Sequence, residues 1–199
     1  MQANLLFEEE LTPKRGVKIP VGIHSNCEVT DLVIGDEYVD VNFAKGDLTH
    51  NKRLWAPKGK YPNKIKMEDG STQLETVDQA IEREKRLNLS LLAALTNIFL
   101  TEDERASLKA ELAKKPEYDD VVAVLVKRLN PVLSRKRVNL KLIPDSEGKY
   151  SKFGTYPSSY IEEYVEGAEP KLKYSEYEKT LFKSDDVAGN SDAIKALLG

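Results

Sequence analysis

The densest chemistry in the chain lies in residues 51–66, NKRLWAPKGKYPNKIK, where cations alternate with two aromatic rings. Lys52, Arg53, Lys58, Lys60 and Lys64 can neutralise phosphates strung along a flexible strand, and Trp55 or Tyr61 offers a face on which a base can stack. Stacking is worth about 1–3 kcal/mol per base and tolerates sequence variation, so this composition suits binding without strict base readout. A second run, SRKRVNLKL followed by GKYSKFGTY, has the same makeup. Arg135, Lys136 and Arg137 stand just ahead of an apolar alternation, where phosphate contact needs only reach. Lys141 and Lys152 would flank a groove if their strands are antiparallel neighbours, with Tyr150, Phe153 and Tyr156 as a further stacking surface. Three of the rings also have a packing alternative: Trp55 as the largest core residue, Phe153 and Tyr156 as filler between barrel and helices.

The net charge of −3 hides an uneven distribution of sign. Residues 48–66 hold six Lys/Arg and no acid, and residues 127–152 hold eight against Asp145 and Glu147. From Ile161 onward nine acids outweigh five lysines. Two basic stretches and an acidic end give a binding face and a self-repelling tail, or a merely solvated surface.

Catalytic patterns are sparse. The two histidines, His24 and His50, lie in no HExxH arrangement and beside no Cys or Ser partner. The single cysteine, Cys27, excludes an internal disulfide and a multi-cysteine metal cluster, and its place on an expected strand makes it a buried thiol. Asp31, Asp36, Asp40 and Asp47 follow no calcium-loop spacing. Gly16, Gly22, Gly35 and Gly46 read as turn or bulge glycines rather than a phosphate cradle. The expectation is a protein that is not an enzyme, with no cofactor and no metal. The opening MQANLLFEEELTPKRG places acids directly after its short apolar group, unlike a secretory or transit signal, and no run approaches membrane-span length.

These residues need a frame. Val17, Ile19, Val21 and Ile23 alternate, then Cys27, Val29, Asp31 and Val33, then Val39, Val41 and Phe43 after the Gly35-Asp36 turn. Gly46-Asp47 marks the next turn, before a third strand over residues 48–56. In that strand Leu48, His50, Lys52 and Leu54 share one face, and Thr49, Asn51, Arg53 and Trp55 the other, and the alternation does not say which is inside. Residues 58–70 read as a polar surface loop. The period then becomes helical through Val77, Ile81, Leu87, Leu91, Leu92, Leu95, Ile98 and Phe99. Thr101 and Glu104 form a capping box for a second helix ended by Pro116, and Asp119 or Asp120 caps a third that stops at Asn130-Pro131. Strands return at residues 137–143 and 150–156, and Ile161 to Tyr164 extends the sheet or forms a short helix. The predicted fold is α+β: a five-stranded barrel with a helical insertion, 74–130, between its third and fourth strands. An N-terminal arm (1–15), a barrel domain (16–165) and a C-terminal extension (166–199) ending in an apolar hook of Ile194, Leu197 and Leu198 complete the organisation.

In GVKIPVGIHSNCEVTDLVIGDEYVDVNFA, THNKRLWAP and KRVNLKLIPDSEGKYSKFG the chain resembles bacteriophage single-stranded DNA-binding proteins with an oligonucleotide-binding (OB) barrel. The resemblance implies an OB-like fold and the coating of single-stranded DNA during phage replication or recombination, in the cytoplasm of an infected bacterium. Lys52, Arg53 and Trp55, with Lys141, Lys152 and Phe153, would line the groove. It also implies replication or recombination proteins as partners of an acidic tail. Here Asp185, Asp186 and Asp192 are followed by Lys195 and an apolar ending, a departure from that pattern. A homo-oligomer is compatible, and no membrane contact is expected. The alternative is a phage structural or assembly protein docking through Leu91, Leu95 and Phe99 or through the terminal hook.

Overall fold

The computed structural model describes residues 17–115, 117–145, 147–148 and 150–182. The expected N-terminal arm, the helix stop at Pro116 and the terminal hook of Ile194, Leu197 and Leu198 lie outside the described residues.

Four strands come first: β1 (Val17–Lys18), β2 (Gly22–Ile34), β3 (Tyr38–Lys45) and β4 (Leu48–Trp55). Val39, Val41 and Phe43 alternate inward, and their burial holds β3 in the core. Gly46, at φ +57°, sits in the two-residue turn that sets Lys45 opposite Leu48, and this register carries through to Tyr38 opposite Trp55. β2 serves both halves of the sheet. Its residues 28–34 pair with β3, and residues 22–27 pair antiparallel with β7 (Val138–Pro144). The register shifts between Val29 and Asp31 and again between His24 and Cys27, with Asn26 at φ 59°. Such bulges let one long strand turn a barrel corner. Cys27 is fully buried beside this bend, and burial pushes its thiol up to about 11.

With β8 (Ser151–Phe153) and β9 (Ile161–Glu163), these strands form a seven-stranded mixed sheet in the order β1-β4-β3-β2-β7-β8, with β9 also on β7. The sheet is mixed because β1 runs parallel to β4. Its two ends meet: Ser151 Oγ donates to Ile19 O (2.7 Å), and His50 Nε2 lies 3.0 Å from Ser151 O. The result is a nearly closed, generically OB-like β-barrel.

The strand count differs from the five expected. The barrel adds the two-residue β1, too short to stand apart from the alternation that follows it, and β9, where sequence left sheet and short helix open. A separate hairpin, β5 (Lys64–Lys66) with β6 (Thr72–Leu74), begins inside the expected loop at 58–70 and ends beyond it. The hairpin's exposed face shows no apolar alternation because it packs on little, so its sequence looks like loop. The helices therefore follow the sixth strand and not the third.

Helix α1 (Val77–Phe99) opens on a Thr76/Gln79 capping box, and α2 (Glu102–Leu112) on the expected Thr101/Glu104 box. Helix α3 (Tyr118–Leu129) begins two or three positions earlier than a cap at Asp119 or Asp120 predicts. Glu117 is its N-cap, without a side-chain bond, and Asp119 and Asp120 lie in the first turn, where they complement the helix dipole. Leu91, Leu92, Leu95, Ile98 and Phe99 are buried, as are Val122, Leu125, Val126 and Leu129 of α3. The packed helices cover β2, and the Asn130 side-chain amide binds its edge at two points, to Leu32 N (2.8 Å) and Leu32 O (3.0 Å). Leu91, Leu95 and Phe99 are thus core, which removes them as a docking surface. No described helix is long and apolar enough to cross a membrane.

Both faces of β7 are buried. Val138, Leu140 and Leu142 face the barrel core, as their alternation predicts. The opposite face, expected to be open, is covered by the chain after β9 and the short helix α4 (Glu176–Thr180).

Candidate functional site

β4 pairs with β1 only at Leu48 and Thr49. From His50 to Trp55 its outer edge carries no strand, and the barrel's gap lies there. Thr49 O faces this edge, accepting from Ile19 N, and Trp55 O faces it, accepting from Asn88 Nδ2 (2.9 Å). By the same two-residue alternation the backbone N–H and C=O of Arg53 face the gap. The gap opens into a cleft of about 580 Å³ bounded by β4, the chain from Ala56 to Tyr61, helix α1 and the chain from Phe153 to Tyr160.

Helix α1 shapes one wall. Its Glu84 carboxylate accepts from the backbone N–H of Lys58 (2.9 Å) and Gly59 (3.0 Å), and Arg83 donates to Tyr61 O (2.8 Å) while pairing with Glu75. Gly59 takes φ +62°, and a Cβ there would stand 2.6 Å from Val77 O, so only glycine lets the loop lie this close to the helix. The helical insertion is therefore a cleft wall as well as a cap on the core.

The open question about β4 is answered by burial: Leu48, His50, Lys52 and Leu54 turn inward, and Arg53 and Trp55 outward. Trp55 is 59 % exposed and meets Tyr38 edge-on at 5.8 Å. The Arg53 guanidinium lies beside both rings, 3.8 Å from the Tyr38 centroid and 5.2 Å from that of Trp55. Arg53 is fixed by a two-point bond to Asp40 (2.8 and 2.6 Å), which raises its pKa above the ordinary value. Lys58 pairs with Glu37, and this hydrogen bond holds the Glu37 carboxyl below its usual range. Lys60 and Tyr61 are exposed on the cleft rim. Lys64 stands on the β5–β6 hairpin and does not line the cleft.

Lys52 differs from its neighbours. It is half-buried, pairs with no carboxylate among the described residues, and lies 5.9 and 5.8 Å from the ring centroids of Phe153 and Tyr160. Desolvation lowers its pKa.

The second basic stretch fares otherwise. Arg135 pairs with Glu104, Lys136 with Glu163 and Arg137 with Glu28. Lys141, expected to flank the groove, is 1 % exposed at its side chain, bonded to Glu178 (2.7 Å) and Lys173 O (2.9 Å). Burial works to raise the Glu178 carboxyl, but hydrogen bonds from Lys141 and Ser175 outweigh it and hold the group below its usual range. Phe153, expected on the surface as a stacking ring, is buried and packs on Phe43 and Tyr160 at 5.1 and 5.2 Å. Both corrections have one cause: each side chain points to a face that another part of the chain covers. Tyr150, Lys152 and Tyr156 are exposed but outside the cleft, with Lys18 over the Tyr150 ring at 5.4 Å.

Sequence reading missed Tyr38, Asn88 and Tyr160. Tyr38 was within reach, since the turn at Gly46-Asp47 sets it opposite Trp55 and sets Asp40 opposite Arg53. The other two enter the site only through the tertiary fold. Among the described residues no group of three or more His, Cys, Asp or Glu is placed to hold a metal ion.

The molecule is thus a nearly closed mixed β-barrel with a helical insertion, of the general kind found among nucleic-acid-binding superfamilies. No protein-family model, no curated protein and no solved structure matches the chain.

Proposed function

We propose that the protein binds single-stranded DNA without strict sequence preference and without catalysis, and that it serves phage DNA replication or recombination. The observation that carries this reading is the Tyr38–Arg53–Trp55 cluster, with Trp55 exposed, beside a cationic gap in the barrel wall. A planar base can stack on the exposed Trp55 ring, and Lys52 and Lys60 line the same cleft for a backbone phosphate. The cleft is bounded by helix α1 on one side, which suits a single strand rather than a duplex. Titration of a labelled oligothymidylate at low and high salt tests the proposal. Tight binding at low salt that weakens with salt, and weaker binding of duplex, are expected. No binding at low salt, or equal affinity for duplex, overturns it.

A further inference from the structure

Of the four cations that line the cleft, two already have a carboxylate, and Lys60 stands exposed to water on the rim. Arg53 has Asp40 and Lys58 has Glu37. Lys52 has none among the described residues, although its burial disfavours a lone charge. Beside it stands a second unsatisfied group. Tyr160 is 1 % exposed, and its hydroxyl makes no hydrogen bond among the described residues. Asn139 Oδ1 is the one fully enclosed side-chain polar atom without a partner among those residues, so the Tyr160 hydroxyl keeps a small exposure, and Tyr160 lines the cleft. Lys52 is held over the rings of Tyr160 and Phe153, whose own packing fixes their positions.

We propose that the Lys52 ammonium and the Tyr160 hydroxyl form a seat for one phosphate at the floor of the cleft. This rests on the reading of the cleft as a single-strand site and assigns the phosphodiester of the bound strand to the seat. Both groups offer donors, and neither has an internal acceptor, so an anionic oxygen satisfies both. An ammonium with little water around it gains more from a phosphate than a solvated lysine does. The seat lies on the inward side of β4 and the Tyr38–Arg53–Trp55 cluster on the outward side, so a strand crossing the open edge would place a phosphate on the first and a base on the second.

The test compares the wild type, Lys52→Gln and Tyr160→Phe, each checked for native thermal unfolding, in oligothymidylate titrations across a salt series. Inorganic pyrophosphate is titrated in parallel. Lys52→Gln is expected to bind roughly tenfold more weakly. Its slope of log affinity against log salt should flatten by about 0.7, the value of one phosphate contact on a single strand. Tyr160→Phe should lose a few-fold without changing the slope, and Lys52→Arg should restore the slope. Pyrophosphate should bind the wild type and not Lys52→Gln. An unchanged slope in Lys52→Gln, or equal pyrophosphate binding by both proteins, overturns the seat while leaving single-strand binding in place. Pyrophosphate bound through Lys52 with no DNA binding overturns the single-strand reading and retains the seat, and binding of neither ligand overturns both. If Lys52→Gln does not fold, the Lys52 side-chain NMR resonance of the wild type replaces it: a shift on adding pyrophosphate supports the seat, and no shift overturns it.

Discussion

Residues 48–66 and residues 127–152 are both rich in cations, yet only the first presents them to a cleft together with exposed aromatic rings. In the first, the exposed rings of Trp55 and Tyr61 and the unpaired Lys52 surround the gap in the barrel wall. In the second, Arg128, Arg135, Lys136, Arg137 and Lys141 pair with Glu111, Glu104, Glu163, Glu28 and Glu178. All five of those carboxylates lie more than fifteen residues away in sequence, and each arrives by the folding of another element. Local charge density therefore measures what a segment can attract, and the fold decides whether that partner is the protein itself.

The largest effect should come from the buried pair of the second region. Glu178→Ala leaves the Lys141 ammonium enclosed without a counter-charge, and a loss of about 3 kcal/mol in denaturant unfolding is expected. That value is at the low end for such pairs, because Glu178 keeps 11 % of its side chain exposed. The folded fraction should bind oligonucleotide as before. The pH dependence follows the same pair. The folded Glu178 pKa lies below the unfolded one, so its contribution is present above the ordinary carboxyl range and lost as pH falls through the depressed folded value. Glu178→Gln should lack that part of the acid limb, which unfolding curves between neutral and acidic pH would read. A weakened DNA affinity in either variant would break the division between the two regions.

Next in size is Trp55→Ala, which should weaken oligonucleotide binding by about 1–3 kcal/mol with little change in thermal midpoint, since the ring is mostly exposed. Fluorescence quenching of this single tryptophan by oligonucleotide offers a second readout. Asp40→Asn sharpens the comparison from the other side. It releases Arg53 from its internal carboxylate, so the salt slope of binding should steepen by about 0.7. An unchanged slope would mean that Arg53 acts through stacking alone. The smallest effect belongs to the triple variant Arg135→Gln, Lys136→Gln and Arg137→Gln. Its affinity and salt slope should match the wild type, and a flatter slope would show that these paired cations exchange their carboxylates for phosphate.

Much of the frame was legible. The alternation of Val39, Val41 and Phe43, the turn at Gly46-Asp47 and the Thr101/Glu104 capping box are local signals whose causes lie within a few residues. The β5–β6 hairpin was not legible, because an exposed polar hairpin lacks the apolar period that marks a strand. The two faces of β4 were read correctly, but which one pointed inward depended on what packs against them. Lys141 shows the same limit more sharply. Its alternation with Leu140 and Leu142 placed it away from the barrel core, where solvent was expected and the C-terminal extension lies instead.

By itself the sequence determined the periodicities, the turns and caps, the buried thiol of Cys27, and the location of cations and rings along the chain. Those depend on sterics and hydrogen bonding between near neighbours. Only the tertiary structure decided which cations were already neutralised, that helix α1 walls the cleft, and that Lys52 meets Tyr160 across the gap. Those are contacts between segments far apart in sequence, and they exist only because one bent strand, β2, joins the two halves of the barrel.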